Sequence, residues 1–382
     1  MVSDSTPPTF RLAFFPWLRL KAAVAAGPYN FVPFDEVGLR PFFGDLLAGY
    51  RNYRSERVVA CTMVTNESWR PSWNLPAAEQ PALFIAAQDL MLSTMSINEI
   101  HRPHRPQYSN TVMHGMHLQL ARGLGGHLAV GFRERDGRTL DGGYTHGDIV
   151  FSAPPQYRRE AELRVNTALL TSLTDARRRS PATAARIHSA LGLFTTANTD
   201  WEGIPESSEV VSMGACFEIL LEANSAYTVA KHLGELFRGF DRATVEDALP
   251  SRPEVRFNQP EYKAVQLKWP LKKKWVEELH QRRSSIVHGF EESFAWSDSE
   301  HLEMAAHVFP LACKLLLARE DLYLLTKEDR WACASIDPIL ADTDWGADDS
   351  FGTRWRRIET HQILHEVASE AMAGPLPPKM PD

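Results

Sequence analysis

The sequence predicts an α+β protein in which a β-rich N-terminal domain precedes an all-α antiparallel helical bundle. In the first 155 residues, proline and glycine separate short segments rich in β-branched and aromatic residues, as is typical of strands. From Arg158 onward, apolar residues recur at three- and four-residue steps, the spacing of amphipathic helices that pack into bundles. A length of 382 residues, 44% of them hydrophobic, suits two or three domains with separate cores.

The N-terminal domain is predicted to span residues 1–155. Its strand-like segments are residues 10–20, 57–65 and 127–133, and Asp136-Gly137 predicts a hairpin turn that returns through a strand at 148–151. Residues 82–95 fit a helix better, so the domain is not purely β.

The helical bundle is predicted to span residues 156–330. Helical spacing is clearest over residues 210–221, 275–286 and 308–318, and the proline-rich segment 250–270 predicts an irregular insertion between helices. Residues 331–382 hold four basic and nine acidic side chains, which predicts an acidic C-terminal extension with one helix near residues 355–372.

Composition excludes several classes of protein. A net charge of -7 with 10% aromatic residues fits neither a disordered chain nor a globally basic nucleic-acid binder. The four cysteines are far apart, without a CxxC pair, so a disulfide framework or zinc knuckle is not expected. No apolar run approaches the roughly 18 residues of a membrane span, and no export signal is visible. We therefore expect a cytoplasmic protein without a membrane partner.

The segment with the clearest chemistry is WVEELHQRRSSIVHG, residues 275–289. Glu278 and Arg282 are four residues apart on a predicted helix, in the favourable order for an ion pair. His288 precedes Gly289, a natural helix terminator, and the helix dipole there favours a charged histidine. Arg283 and His288 would diverge by about 140° on a straight helix. Their convergence therefore needs either an unwound last turn or a second copy across a dimer.

An arginine that clamps a phosphate and a histidine that moves a proton suit metal-free cleavage of RNA. Between residues 252 and 288, nine basic residues face four acidic ones, a local surplus of five that predicts a surface for a polyanion. Within it we expect Lys272, Lys273 and Lys274 to contact RNA. Trp269, Trp275 and Tyr262 are candidates to stack on bases, or else core residues.

These residues resemble the HEPN superfamily (higher eukaryotes and prokaryotes nucleotide-binding domains). Arg283-Ser-Ser-Ile-Val-His288 fits its Arg-x4–6-His motif, and Glu278-x3-Arg282-Arg283-x4-His288 is similar to the extended Glu-x3-Lys/Arg-Arg-x4-His form. Gly289 after the motif resembles the Apea-type and abortive-infection branches. The upstream segment ACFEILL, residues 215–221, resembles the Ala-Leu-Glu-x-Leu-Leu helix of those branches, with Phe217 in place of leucine.

The resemblance covers about residues 160–330 and implies a helical bundle that forms a homodimer, with both Arg/His sets in one cleft. Many members of the superfamily are metal-independent endoribonucleases in toxin, anti-phage or RNA-processing systems. By this resemblance Arg283 would bind the scissile phosphate and His288 would act as general acid/base. Arg282 and Glu278 would orient the cleft, and Glu218 would support it from the neighbouring helix. The partners it implies are single-stranded RNA, a second copy of the chain, and a regulatory protein or ligand at the N-terminal domain. No cofactor or metal is expected.

Two alternatives stay open. Some members of the superfamily are non-catalytic modules that bind nucleotide, RNA or protein, and Ser284 stands where active members often carry Asn, Asp or His. The second alternative is a metal hydrolase built on His114, His117, His127 and His146. Those histidines have no carboxylate or cysteine at a recognisable spacing, and ordinary strand and loop histidines explain them more simply.

Overall fold

The structure, a computed structural model, describes two compact units. The described residues are 10–34, 46–52, 55–59, 61–66, 75–95, 118–124, 127–133, 139–144, 150–152, 165–198, 204–253, 255, 257, 260–290 and 293–341. One unit lies within residues 1–174 and the other takes its described residues from Asp175 onward. The α+β class is confirmed, since a largely antiparallel sheet occupies the N-terminal part and helices fill most of the rest.

The first unit is built on a seven-stranded sheet of order β2-β3-β5-β1-β6-β7-β8. Its strands are β1 Phe10–Phe15, β2 Val24–Ala26, β3 Tyr29–Pro33, β5 Thr62–Thr65, β6 Gln119–Leu124, β7 His127–Arg133 and β8 Thr139–Tyr144. The short strands β4 Tyr50–Arg51 and β9 Phe151–Ser152 pair with each other in parallel. Helix α1, Gln80–Met95, agrees with the predicted helix at 82–95.

The central strand β1 buries side chains on both faces of the sheet. Ala13 and Phe15 pack into a core with helix α1, while Leu12 and Phe14 pack into a second core with Tyr50. Successive side chains of a strand point to opposite faces, so a strand covered on both sides has no polar alternation. That explains the unbroken apolar run from Leu12 to Phe15.

The predicted return of the hairpin is wrong. Residues 148–151 were expected to return after β7, but β8 does so, with Leu140 opposite Phe132 and Tyr144 opposite Leu128. The glycines at 142 and 143 give β8 a composition that disfavours strands, although cross-strand pairing overrides it. The turn predicted at Asp136-Gly137 lies outside the described residues.

The second unit is an all-helical bundle. Its helices are α3 Pro181–Ala197, α4 Glu206–Leu221, α5 Ala226–Leu236, α6 Val245–Ala248, α7 Lys263–Gln266, α8 Leu271–His288, α9 Asp298–Arg319 and α10 Lys327–Ala341. Helix α2, Thr167–Arg179, contains the boundary between the units. Helix α8 packs against α4, α5 and α10. It carries the candidate site.

Two glycines let neighbouring helices approach α8 closely. A Cβ atom on Gly214 of α4 would lie 2.9 Å from Cβ and Cγ of Arg283, and one on Gly234 of α5 would lie 3.1 Å from Cδ of Lys273. The distance at Gly214 is shorter than real Cβ contacts, so the approach of α4 to α8 depends on glycine there, whereas at Gly234 the flexible Lys273 side chain would have to shift by a few tenths of an ångström. The stem of Arg283 therefore rests directly on the backbone of α4.

The segment 250–270 is more ordered than predicted. It contains a 3₁₀ turn, Pro260–Tyr262, followed directly by helix α7. Within it Arg252 is buried and binds Glu300 at 2.8 Å. The helix expected near residues 355–372 lies outside the described residues, and Asp337, counted above with the acidic extension, is a buried residue of α10.

Among the described residues, helix α9 alone is long and apolar enough to cross a membrane by length and composition. Within the bundle, 78% of its apolar window is buried. An apolar helix surrounded by other helices is what the core of a bundle requires.

Candidate functional site

Helix α8 stays regular to its last residue, His288. Gly289 then takes a left-handed conformation with φ of 71°, the N–H of Gly289 donates to the carbonyl of Ile286 at 3.3 Å, and the N–H of Phe290 donates to that of Ser285 at 2.9 Å. This is the usual glycine termination of a helix. The alternative in which an unwound last turn brings Arg283 and His288 together is therefore excluded within one chain.

Arg283 lies across α4 toward a carboxylate. Its guanidinium Nη2 is 3.5 Å from Oε2 of Glu218, and 29% of its side chain is exposed. Gly214, one helical turn before Glu218, leaves the space through which the arginine stem passes. Glu218 thus lies beside the motif arginine, where the resemblance puts its supporting residue.

His280 also lies beside the Glu218 carboxylate and was not predicted from the sequence. Its Nε2 is 2.7 Å from Oε1 of Glu218, and only 12% of its side chain is exposed. Burial lowers the pKa of His280 from its ordinary value; the Glu218 carboxylate opposes that shift, and Arg283 adds to it. The signal that could have found it is its position three residues before Arg283, which puts both on one helix face.

His288 is exposed at the end of α8, in apolar surroundings. Its ring centroid lies 6.0 Å from that of Phe290, which is 62% exposed, and the neighbouring Val287 is 54% exposed. Two large apolar side chains beside an exposed histidine form a surface suited to contact with another molecule.

Arg282 does not pair with Glu278 as predicted. Its guanidinium binds Asp298 through two hydrogen bonds, Nε to Oδ1 at 2.7 Å and Nη2 to Oδ2 at 2.8 Å. Asp298 is the first residue of α9, where the helix dipole also favours a carboxylate. The pair joins the end of α8 to the start of α9, so Arg282 acts on the connection between the helices.

Glu278 is buried and faces away from Arg283. It accepts a hydrogen bond from the N–H of Ala295 at 3.1 Å and lies 3.6 Å from Nζ of Lys274. Burial raises the pKa of Glu278 to about 7, although Lys274 and the Ala295 N–H oppose that shift. The predicted pairing of Glu278 with Arg282 is therefore wrong, and its carboxylate instead holds the segment that leads into α9. A role for the two residues in orienting the cleft stays a prediction.

We expect Glu278→Gln to change how stability depends on pH. The folded-state pKa of about 7 exceeds the ordinary value of 4.5, so Glu278 stabilises the fold fully below pH 4.5 and loses that contribution as pH rises through 7. Relative to wild type, the free energy of unfolding of the variant should rise by about 3 kcal/mol between pH 4.5 and 8. Urea unfolding across this range measures the difference. The control is Glu246→Gln, which removes an exposed carboxylate. If the free energies of unfolding of wild type and Glu278→Gln differ by the same amount across this pH range, the raised pKa of Glu278 is contradicted.

Lys272 and Lys274 are buried and are not available to RNA. Lys272 binds Asp337 at 2.6 Å and Asp241 at 2.9 Å, and Lys274 binds Glu277 at 2.6 Å. The expectation that they contact RNA is therefore wrong. Buried ammonium groups need carboxylate partners, and these two have them.

Lys273 is only half buried. Its Nζ lies 3.8 Å from the ring centroid of Trp269, a cation–π contact on the side of α8 that faces α5. Of the aromatic residues proposed to stack on bases, Trp275 is fully buried, Trp269 is 8% exposed and Tyr262 is 54% exposed. Tyr262 alone of the three keeps a largely open ring.

The local surplus of basic residues is not a surface charge. Arg252, Lys272, Arg282 and Arg283 each have a carboxylate partner outside the segment 252–288, namely Glu300, Asp337, Asp298 and Glu218. These partners come from α4, α9 and α10. A charge count along the sequence omitted them. Among the described residues of the segment, Lys263 and Lys268 are exposed, and Lys273, Arg282 and Arg283 are partly exposed.

The four histidines of the metal alternative fall outside what the structure describes. His114, His117 and His146 are not among the described residues, and the side chain of His127 in β7 is not described. Elsewhere in the described residues, no three metal-ligating side chains come together. The metal alternative stays a prediction.

Comparisons of the chain with protein-family models, with curated proteins and with solved structures find no match in any of the three. What can be said of function therefore rests on the residues of this chain and their geometry.

Proposed function

We propose that the helical unit is a HEPN-like bundle that acts as a metal-independent endoribonuclease on single-stranded RNA. Arg283 of one chain and His288 of a second chain would form the cleavage site across a homodimer. What supports this is the resemblance of the motif together with the placement of Glu218 beside Arg283.

The observation that carries the proposal is the regular end of α8. Over five residues of straight helix, the side chains of Arg283 and His288 diverge by about 140° and are offset by about 7.5 Å along the axis. One chain cannot aim both at the same phosphate. In a two-fold dimer the surface around residue 288 of one chain meets the partner, and Arg283 and His288 from different chains can then face each other.

The exposed apolar residues favour such a contact. Val287 and Phe290 flank His288 and are more than half exposed. Covering them with a second copy removes apolar surface from water. Gln281 and Ser284, which also lie in the C-terminal half of α8, are partly exposed to solvent. A dimer contact centred there would place His288 beside the interface.

The chemistry requires only these side chains and the substrate. The ribose 2′-oxygen attacks the adjacent phosphorus, the bond from phosphorus to the 5′-oxygen breaks, and a cyclic phosphate and a free 5′-hydroxyl result. His288 takes the proton that leaves the 2′-hydroxyl, and the resulting imidazolium returns a proton to the departing 5′-oxygen, so that no net proton is consumed. Arg283 stabilises the charge on the phosphoryl oxygens by two-pronged hydrogen bonding.

A non-catalytic binding module is the second candidate. Glu218 already neutralises part of the charge on Arg283, and Ser284 replaces the polar residue that active members often carry after the motif arginine. In that case the unit would bind RNA or a protein and leave RNA intact.

Cleavage of a labelled single-stranded RNA in excess EDTA tests the proposal. We expect wild type to cut the RNA and Arg283→Ala to be slower by about 10²–10³-fold, since it loses the group that stabilises the phosphoryl charge. Arg179→Ala, which removes an exposed arginine at the end of α2, is the matched control and should keep wild-type activity. RNA that binds but stays intact in wild type would favour the binding module.

A further inference from the structure

One carboxylate on α4 is shared by two basic side chains of α8, an imidazole and a guanidinium. Oε1 of Glu218 lies 2.7 Å from Nε2 of His280, and Oε2 lies 3.5 Å from Nη2 of Arg283. The three side chains are 19%, 12% and 29% exposed, in that order. Charges that are only partly solvated interact more strongly than fully exposed ones.

The backbone fixes this cluster in place. Gly214 brings α4 against the stem of Arg283, and His280 lies one helical turn before that arginine. The aliphatic part of the Arg283 side chain rests on the α4 backbone, and this restricts the groups of the same chain that its guanidinium can reach. The exposed part of the guanidinium is what a phosphate would reach.

We propose that His280 is a positioning residue that controls how firmly Glu218 holds Arg283, and thereby how readily Arg283 binds a phosphate of RNA. The inference rests on the proposed function, because it takes Arg283 as the phosphate-binding group. It does not require His280 to touch the substrate.

The charge on His280 determines how strongly Glu218 holds Arg283. With His280 neutral, Glu218 has one cationic partner and neutralises Arg283. With His280 protonated, the same carboxylate faces two cations, and its hold on Arg283 weakens while the cluster gains one positive charge. An arriving phosphate in turn favours the protonated imidazole. Phosphate binding and proton uptake at His280 therefore reinforce each other, as linked equilibria must.

The described helices that pack against α8 carry the charged groups that could act on His280, and on α10 the buried carboxylate of Asp337 pairs with Lys272. Glu218 of α4 and Arg283 of α8 act on His280 directly. Helix α5, which also packs against α8, directs Lys231 and Glu235 toward Lys273, two helical turns earlier. Lys231 and Glu235 therefore act on Lys273. Glu218 is the carboxylate that couples His280 to Arg283.

The test measures binding of a single-stranded oligonucleotide that lacks 2′-hydroxyl groups and so resists cleavage, between pH 5 and 8. In wild type, the dissociation constant should fall as pH falls. His280→Gln should lose that fall, and Glu218→Gln should bind about two- to fivefold more tightly than wild type at pH 7.5. Glu222→Gln is the matched control: it removes a carboxylate from the same end of α4, but that carboxylate pairs with Arg186.

An NMR titration of the His280 ring in the same full-length proteins gives a readout that is independent of RNA. Arg283→Gln should raise the pKa of His280 and Glu218→Gln should lower it. If oligonucleotide binds and the pH dependence is the same in wild type and His280→Gln, the inference is wrong and the proposed function stands. If wild type binds no oligonucleotide, the phosphate part of the inference fails, and cleavage of RNA in EDTA decides the proposed function separately. The titration then decides whether His280 and Arg283 compete for Glu218, and a His280 titration unmoved by Arg283→Gln would overturn that claim too.

Discussion

His288→Ala is expected to lower the rate of RNA cleavage by about 10²–10⁴-fold, the usual contribution of a positioned general acid or base. His288 is exposed, and the centroid of its ring lies 6.0 Å from that of the Phe290 ring. Removing the imidazole should therefore leave the bundle folded. The measurement is single-turnover cleavage of labelled RNA in EDTA, with saturating protein.

The fold and the oligomeric state of the variant need to be checked alongside its rate. Circular dichroism should show unchanged helix content and thermal midpoint, and sedimentation should show the same oligomer as wild type. A variant that stays dimeric and cuts at the wild-type rate would remove His288 from the mechanism.

Asp337→Ala is expected to destabilise the helical unit by about 3–5 kcal/mol, the cost of removing one partner from a buried ion pair. Asp337 is fully buried in α10. Its carboxylate accepts the N–H of Lys272 at 2.9 Å, the N–H of Arg242 at 2.9 Å and Nζ of Lys272 at 2.6 Å. The variant leaves Lys272 with Asp241 and the carbonyl of Phe240, and it leaves the N–H of Lys272, the second residue of α8, without that acceptor.

Urea unfolding followed by circular dichroism measures the loss. Glu328→Ala removes an exposed carboxylate from the first turn of the same helix and should cost no more than about 1 kcal/mol. Asp337→Asn should fall between the two, since its amide oxygen still accepts a backbone N–H. Equal stability of Asp337→Ala and Glu328→Ala would show that the buried pair does not hold α8 to α10.

The class of fold could be predicted from the sequence because it depends on the hydrophobic periodicity of strands and helices. Helix α1 and the strand at 127–133 were predicted closely, since each has a continuous local pattern. Strand β8 was missed because its glycines hide the pattern, and its place in the sheet comes from pairing with β7. Segment 250–270 was expected to be irregular, yet buried Arg252 and helix α7 order part of it through partners distant in sequence.

The site was predicted in part, for a different physical reason. Glu218 and Arg283 were named from the motif resemblance, and they lie together. The pairing of Glu278 with Arg282 and the RNA contact of Lys272 were predicted from position along the sequence, whereas both Glu278 and Lys272 are buried against other segments. His280 was not predicted because its position three residues before Arg283 indicates a shared helix face but identifies no partner. Its partner comes from α4, which only the folded chain reveals.

The measurement that tests the central claim most directly uses a heterodimer of Arg283→Ala and His288→Ala chains. The two chains are co-expressed with different tags and purified through both. If the site is shared between chains, each homodimer has no intact Arg/His pair, while the heterodimer keeps one of two and should cut RNA at about half the wild-type rate in EDTA. A heterodimer as inactive as the two homodimers, or a wild-type protein that is monomeric while it cuts RNA, would contradict a site formed by Arg283 and His288 across two chains.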